Sequence, residues 1–376
     1  MHRLMAGVTI LEHELSELRL LVERQTGILL DCPNSALAAH VAEYLEAHEL
    51  ESPAALMGHL RAADQDPSAL PTFLDGVLNS TTGFFRHPGA MNALARQVIP
   101  QLYARKSSDG PSTLRIWSAG CSTGEEAYSI AMALCEALPA GNGNSNANNS
   151  GNGAGKDAKD KEAKDAKEKG APSRNGGIAE TGIAGSIAPK DWSIHIVGSD
   201  LLPSAIEVAE RGLYPQSALA GLPPAAIRAC FSKIGSPNGS SNGSLEVSQN
   251  PGTNGASNGS TNSSAPGSGN GSAGGAHLLV KPRLRSLVTF NTMNLTKPVY
   301  IGRFDCIFCM DVLPHLSRVQ RTALMERLHL YLEPGGYLFL SQTEKLCAPN
   351  LNFRSETFDG YTFHRKPMAA SAAYGR

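Results

Sequence analysis

IWSAGCSTGEEAYSIAM, residues 116–132, reads as a buried strand that turns sharply into a helix. The apolar run ends at Ala119, and Gly120 and Gly124 let the backbone turn tightly. Glu125 and Glu126 then fall in the first helical turn, where the helix dipole favours negative charge. Amide groups left open in such a turn can approach a polar or anionic ligand. A G-x-x-x-G turn also serves as a plain strand-to-helix corner, so other residues must decide whether it binds anything.

Outward from this stretch, strands and helices alternate. WSIHIVGSD (192–200) reads as a strand, 203–211 as a helix, LVTFNTMNL (287–295) as a strand with its exit loop, and FDCIFCMDVL (304–313) as an apolar strand. A helix is expected at 317–333 and a strand in GGYLFLSQTE (335–344). Asp359-Gly360 between apolar runs signals a hairpin. Repeated βα units imply a mostly parallel sheet covered by helices, with ligands at the carboxyl ends of its strands. Asp200 stands at such an end. In nucleoside-binding folds of this kind an acid there accepts hydrogen bonds from ribose hydroxyls, typically about 20 residues after the glycine turn. The larger separation here is accounted for mostly by a low-complexity stretch. The alternative is that Asp200 only caps the helix near Pro203.

Two segments, 140–190 and 234–276, are dominated by Gly, Ser, Asn, Lys and Asp and cannot bury enough apolar area to offset the entropy of ordering. Before the sheet, residues 1–100 read as a helical unit. Thr9 and Glu12 suggest a capping box ahead of Leu11, Leu15, Leu18 and Val22, with Gly27 as the C-cap. A second helix is expected from Asn34 with Leu37, Val41, Tyr44 and Leu45 inward, and Ser52-Pro53 and Asp66-Pro67 read as further helix starts. The expected organisation is 1–100 all-α, 101–368 α/β interrupted by the two low-complexity segments, and a tail at 369–376. A net charge of −1 gives no footprint for nucleic acid or an anionic membrane. No apolar run is long enough to span a bilayer, and seven scattered cysteines without an export signal point to a reduced, cytoplasmic setting.

At this point LRIWSAGCSTGEEAYSIAM resembles the cofactor-binding signature of CheR-type chemotaxis-receptor methyltransferases. STTGFFR (80–86) resembles that family's N-x-T-x-F-F-R segment, and GSDLLPSAIEVAERGLYP (198–215) its ribose-binding strand and helix. TMNL (292–295), FDCIFCMDV (304–312) and LEPGGYLFLSQTE (332–344) follow in the family's order. The resemblance implies a Rossmann-like class I S-adenosylmethionine-dependent methyltransferase domain with a small β-subdomain, preceded by an all-α domain. It implies transfer of a methyl group to glutamate carboxylates of a methyl-accepting receptor, with S-adenosylhomocysteine as product, no metal, and a monomeric enzyme. Carried over by motif, Ser80, Thr82 and Arg86 line the methionine end and reaction centre, with Arg86 the catalytic candidate. Gly120, Gly124, Glu125 and Glu126 lie along the cofactor, Asp200 takes the ribose, Asn294 and Leu295 border the adenine, and Asp311 and Val312 stand beside the methyl donor.

The sequence departs from the family pattern at three places. Ser80 replaces the asparagine before the threonine, with Asn79 displaced by one. Met310-Asp311 stands where the family usually has Arg-Asn. His315, after Pro314, stands where an aromatic is expected. These changes keep open a second reading, a cofactor-binding or non-catalytic interaction module. Segment 234–276 is expected to lengthen a hairpin loop in the β-subdomain, near Lys281, Arg283 and Arg285, which face either an acidic receptor or solvent. A dehydrogenase would want a tighter G-x-G-x-x-G turn, which is absent. Cys306 and Cys309 form a C-x-x-C inside an apolar strand, where core packing is the simpler reading than zinc.

Overall fold

A computed structural model describes residues 10–62, 66–78, 82–107, 112–138, 192–233, 277–298, 301–348 and 350–368. Both low-complexity segments, Ser80, Asn79, Thr9 and the tail lie outside the described residues.

The chain opens with α1 (Glu12–Thr26), α2 (Asn34–Ala47), α3 (Pro53–Arg61) and α4 (Ala69–Val77). The apolar stripes expected for α1 and α2 are buried, except that Leu11 is the exposed N-cap residue of α1. Gly27 ends α1 at φ 78°, the left-handed C-cap that glycine adopts without strain. The capping of α1 differs from expectation: Glu14, not Glu12, reaches back, its Oε2 accepting the N–H of Leu11 at 2.8 Å. Ser52 caps α3 as read, accepting from the N–H of Ala55. Asp66 starts a turn rather than a helix: its Oδ1 accepts from the backbone and hydroxyl of Ser68, and α4 begins at Ala69.

Helix α5 (Pro88–Ala93) passes through a wide π turn at Leu94–Val98 into α6 (Ile99–Lys106). The remaining elements are β1 (Ser112–Ala119), α7 (Glu125–Ala137), β2 (Trp192–Asp200), α8 (Pro203–Arg211), β3 (Leu213–Pro215), α9 (Pro224–Cys230), β4 (Phe231–Lys233), β5 (His277–Val280), α10 (Pro282–Arg285), β6 (Val288–Thr292), β7 (Phe304–Phe308), α11 (Arg318–Tyr331), β8 (Leu332–Phe339), β9 (Arg354–Phe358) and β10 (Tyr361–Arg365). Asp359 and Gly360, both at positive φ, make the turn between β9 and β10 that the Asp-Gly pair predicts.

The main sheet has the order β6-β2-β1-β7-β8-β10-β9. Pairings from β6 through β8 are parallel, and β10 runs antiparallel to β8 and β9. From β1 the chain builds outward to β2 and β6, then crosses back to place β7 on the other side of β1. That reversal makes a crevice at the carboxyl ends of β1 and β7. One face of the sheet packs on α5, α6 and α7, the other on α11. Cys306 and Cys309 are wholly buried and belong to these two different faces, so they fill core rather than converge on an ion. Helices α1–α4 form their own apolar cluster, which takes in Leu202 and Ala205 at the start of α8.

A small antiparallel sheet, β3-β5-β4, lies beyond α8. Strands β4 and β5 pair antiparallel and flank 234–276, in keeping with a hairpin connection there. Lys281, Arg283 and Arg285 sit on or beside the short α10 rather than on a strand, and each donates to a backbone carbonyl, of Arg228, Ala229 and Glu210 respectively.

Candidate active site

The crevice opens into a cavity of about 430 Å³. Its walls come from the segments that leave four strands: Gly120–Ser122 after β1, Asp200–Leu202 at the end of β2, Met293–Thr296 after β6 and Met310–Val312 after β7. Thr82–His87 closes one side. Ile28, from the loop between α1 and α2, closes another. It bridges to Leu316, while Leu29 N–H donates to the carbonyl of His315. Thr296 Oγ1 donates to the carbonyl of Thr26, so the helical unit is fastened to the same loops.

Asp200 shows how the sequence sets the geometry. Its Oδ2 accepts the N–H of Ser122 at 2.8 Å and its Oδ1 that of Leu202 at 3.1 Å. It therefore closes a turn just ahead of α8 rather than capping the helix, whose N-cap is Leu202, and it ties the glycine turn to β2. Each carboxylate oxygen has a second lone pair, which leaves acceptor capacity for hydroxyl groups in the cavity. Burial raises its pKa, and the backbone donors act against that.

Gly120 has φ 87°, and a Cβ there would lie 2.5 Å from Val312 Cγ2. The glycine is required both by the backbone and by the close approach of the loop after β7. Gly124, at φ 94°, caps α7 but does not line the cavity: a Cβ there would meet Ala209 and Phe290. Glu125 is likewise turned away. Its carboxylate accepts from Thr123 and from the Thr82 hydroxyl, so it fastens the segment at 82–87 rather than facing the cavity. Phe85 N–H donates to Ser129 on α7, and Phe84 packs edge-on against Tyr214 and Phe231 of the small sheet.

Glu126 does line the cavity. Burial pushes its carboxyl up to about 7, although the Ser118 hydroxyl donates to Oε1 at 2.6 Å; Asp311 and Glu344 add to the rise and Arg86 opposes it. Asp311 adopts a left-handed backbone, φ 57°, which Asp and Asn tolerate better than most residues. Its Oδ2 lies 3.3 Å from Arg86 Nη2 and 2.8 Å from His87 Nε2. Thus the surface-pair reading of Arg86 and its cavity reading are both met, because the partner is another candidate.

Thr82, Arg86, Gly120, Glu126, Asp200, Asn294, Leu295, Asp311 and Val312 all line one cavity. Sequence reasoning missed Glu344, whose two oxygens accept the N–H groups of Asp311, Leu313 and Ser341 and so shape the loop after β7. It closes the SQTE stretch, and a lone acid after a buried strand was the available signal. Cys121 lines the cavity too, but burial raises its thiol well above the ordinary range, so it is no ready nucleophile.

The sequence profile described as the CheR methyltransferase SAM-binding domain matches residues 80–147 and 269–361. Those ranges include Thr82, Arg86, the glycine turn, Asn294 and Asp311.

This chain carries a CheR-type SAM-binding domain.

It is a SAM-dependent methyltransferase, and its sheet order with an antiparallel β10 is that of the class I fold. Chemotaxis protein methyltransferase 1 of Pseudomonas aeruginosa PAO1 is 24% identical over 352 residues, covering 90% of this chain and 96% of its own. Chemotaxis protein methyltransferase 2 of the same organism is 25% identical, over 88% of this chain and 86% of its own. A chemotaxis protein methyltransferase of Vibrio parahaemolyticus is 23% identical, over 92% and 93%. The CheR-type cavity fits S-adenosylmethionine in chemistry as well as place. Apolar Leu202, Met293 and Leu295 suit a purine face, Asp200 suits ribose hydroxyls, and Glu126 and Asp311 suit the cationic methionine end. Among the described residues no cluster of metal-ligating side chains occurs, and no helix is long and apolar enough to cross a membrane.

Proposed function

We propose that the enzyme esterifies glutamate side chains on methyl-accepting, chemotaxis-type receptors, with S-adenosylhomocysteine as the second product. The observation that carries this is the pairing of an acid-lined cavity with a half-exposed arginine at its edge: Arg86 is 46% exposed, within reach of both the cavity and solvent. S-adenosylmethionine supplies an electrophilic methyl group when bound. The acceptor carboxylate is already ionised at neutral pH, so no general base is called for. The chain's own contribution is to hold the two partners in line and keep water out.

In this reading Asp200 accepts from the ribose hydroxyls, Asn294 and Leu295 border the adenine, and Glu126 faces the amino group. Thr82, held by Glu125, borders the methionine end. Arg86 receives the acceptor carboxylate through its planar fork of donors. A cytoplasmic, monomeric enzyme is part of the same proposal. The relatives' names support the receptor class. A second reading, a SAM-binding module without turnover, draws on the Asp311 contact that engages Arg86.

Arg86→Ala tests the assignment. Without its planar, two-donor contact to the acceptor carboxylate, kcat/KM for methyl transfer should fall about 100-fold. Affinity for S-adenosylhomocysteine, measured by calorimetry, should stay within about threefold, since the acceptor and not the cofactor loses its contact. Unchanged turnover in Arg86→Ala would remove Arg86 from the reaction.

Glu126 predicts a pH dependence. Its folded pKa, about 7, lies above the ordinary 4.5 because burial penalises the charge. The folded state therefore holds more protons between those values, and this group lowers stability as pH rises from about 4.5 to 7. A cationic ligand prefers the carboxylate. S-adenosylmethionine should bind about tenfold more weakly at pH ~5.5 than at pH ~7.5, with proton release at the lower pH. Glu126→Gln should flatten that profile; an unchanged slope would assign it to another group.

A further inference from the structure

Three acids crowd the end of the cavity where Arg86 stands. Asp311 and Glu126 line it, and Glu344 sits behind the loop after β7 with its oxygens on backbone N–H groups. Asp311 and Glu344 both raise the proton affinity of Glu126, so these charges act on one another. An acceptor carboxylate brought here adds a further negative charge. Arg86 is the cation placed to receive it, yet Arg86 Nη2 already contacts Asp311 Oδ2 at 3.3 Å.

The same oxygen has a second partner. His87 Nε2 lies 2.8 Å from Asp311 Oδ2, a shorter contact than that of Arg86. The rigidity of the three groups differs. Asp311 is pinned by the bond from its N–H to Glu344 and by its left-handed backbone. His87 is the N-cap of α5, and its carbonyl accepts from Ala90 and Met91. Its ring is about three-quarters buried, at 23% exposure. Arg86 is longer and twice as exposed, and its contact with Oδ2 is the longer of the two. An Nε2–H donated to Oδ2 occupies the oxygen that Arg86 also contacts and holds Asp311 in place.

We infer that His87 is a positioning residue for the methyl acceptor: it holds Asp311 by a hydrogen bond to the shared oxygen, so that Arg86 turns from that carboxylate to the incoming one. The inference rests on Arg86 as the acceptor's anchor, proposed above. It also accounts for Asp311 standing where the CheR pattern usually has asparagine. An asparagine there would form no ion pair with Arg86, so a site built on it has no need of a competing partner at position 87.

The test is a double-mutant cycle on methyl transfer. The acceptors are cytoplasmic fragments of methyl-accepting receptors from the source genome, and the enzymes are wild type, His87→Ala, Asp311→Asn and the double variant. S-adenosylhomocysteine affinity is measured on each by calorimetry. His87→Ala should raise KM for the acceptor about tenfold or more, with kcat and S-adenosylhomocysteine affinity within about threefold of wild type. In the Asp311→Asn background the same histidine change should move KM by less than about threefold, because no ion pair is left to hold Arg86 back. An equal loss in both backgrounds, an unchanged KM in His87→Ala, or a loss confined to cofactor affinity would overturn the inference alone. Wild-type protein that binds S-adenosylhomocysteine and methylates no fragment would overturn the acceptor reading, and the inference with it.

Discussion

Asp200→Ala should weaken S-adenosylmethionine binding by about 100-fold or more, since on the proposed assignment the ribose hydroxyls lose a buried acceptor. The variant also strands two backbone donors, the N–H groups of Ser122 and Leu202, which now bond the carboxylate at 2.8 and 3.1 Å. The glycine turn would then lose its tie to β2, so part of the lost affinity comes from a looser turn. Asp200→Asn separates the two effects. It keeps one side-chain oxygen as acceptor but loses the charge, and should fall between wild type and alanine. Circular dichroism and calorimetry on the same samples provide the check. A folded Asp200→Ala protein that binds within about threefold of wild type would mean that the ribose is held elsewhere.

Gly120→Ala carries the second large effect. An alanine at φ 87° costs about 1–2 kcal/mol in backbone strain, and its Cβ would stand 2.5 Å from Val312 Cγ2. Val312 follows Asp311 on the loop that Glu344 shapes, so relief of the clash displaces the candidate reaction centre. We expect a loss of about 2–4 kcal/mol in stability and at least tenfold in S-adenosylmethionine affinity. Val312→Ala in the same background should recover part of the loss, the clash, and leave the backbone strain. Thermal melts of the three variants test the split. Gly124→Ala should destabilise too, against Ala209 and Phe290, but with less effect on binding, because that glycine does not line the cavity.

Much of the site was legible because it lies where parallel strands end. The strand–turn–helix at 116–132 and the acid closing 192–200 fixed two walls of the cavity, and both segments fold as their patterns predict. What was not legible depends on long-range contact. Nothing local says that Glu125 turns towards Thr82 while its neighbour Glu126 faces the cavity; helical geometry separates adjacent residues by about 100° and tertiary packing chooses between them. Ile28 comes from a separate helical unit, and only the docking of that unit on 293–316 brings it to the cavity. Glu344 acts through backbone N–H groups more than thirty residues away in sequence, a role no motif advertises. The pairing of Asp311 with His87 joins positions 224 apart and turns a departure from the family pattern into part of a charge network.

The most direct test of the proposed reaction is transfer of a tritiated methyl group from S-adenosylmethionine to receptor cytoplasmic fragments, followed by mild base. Glutamyl methyl esters release the label as methanol, and the account predicts release from wild-type reactions and little from Arg86→Ala. Label that survives base, or no label on any fragment at saturating cofactor, would contradict carboxylate methylation.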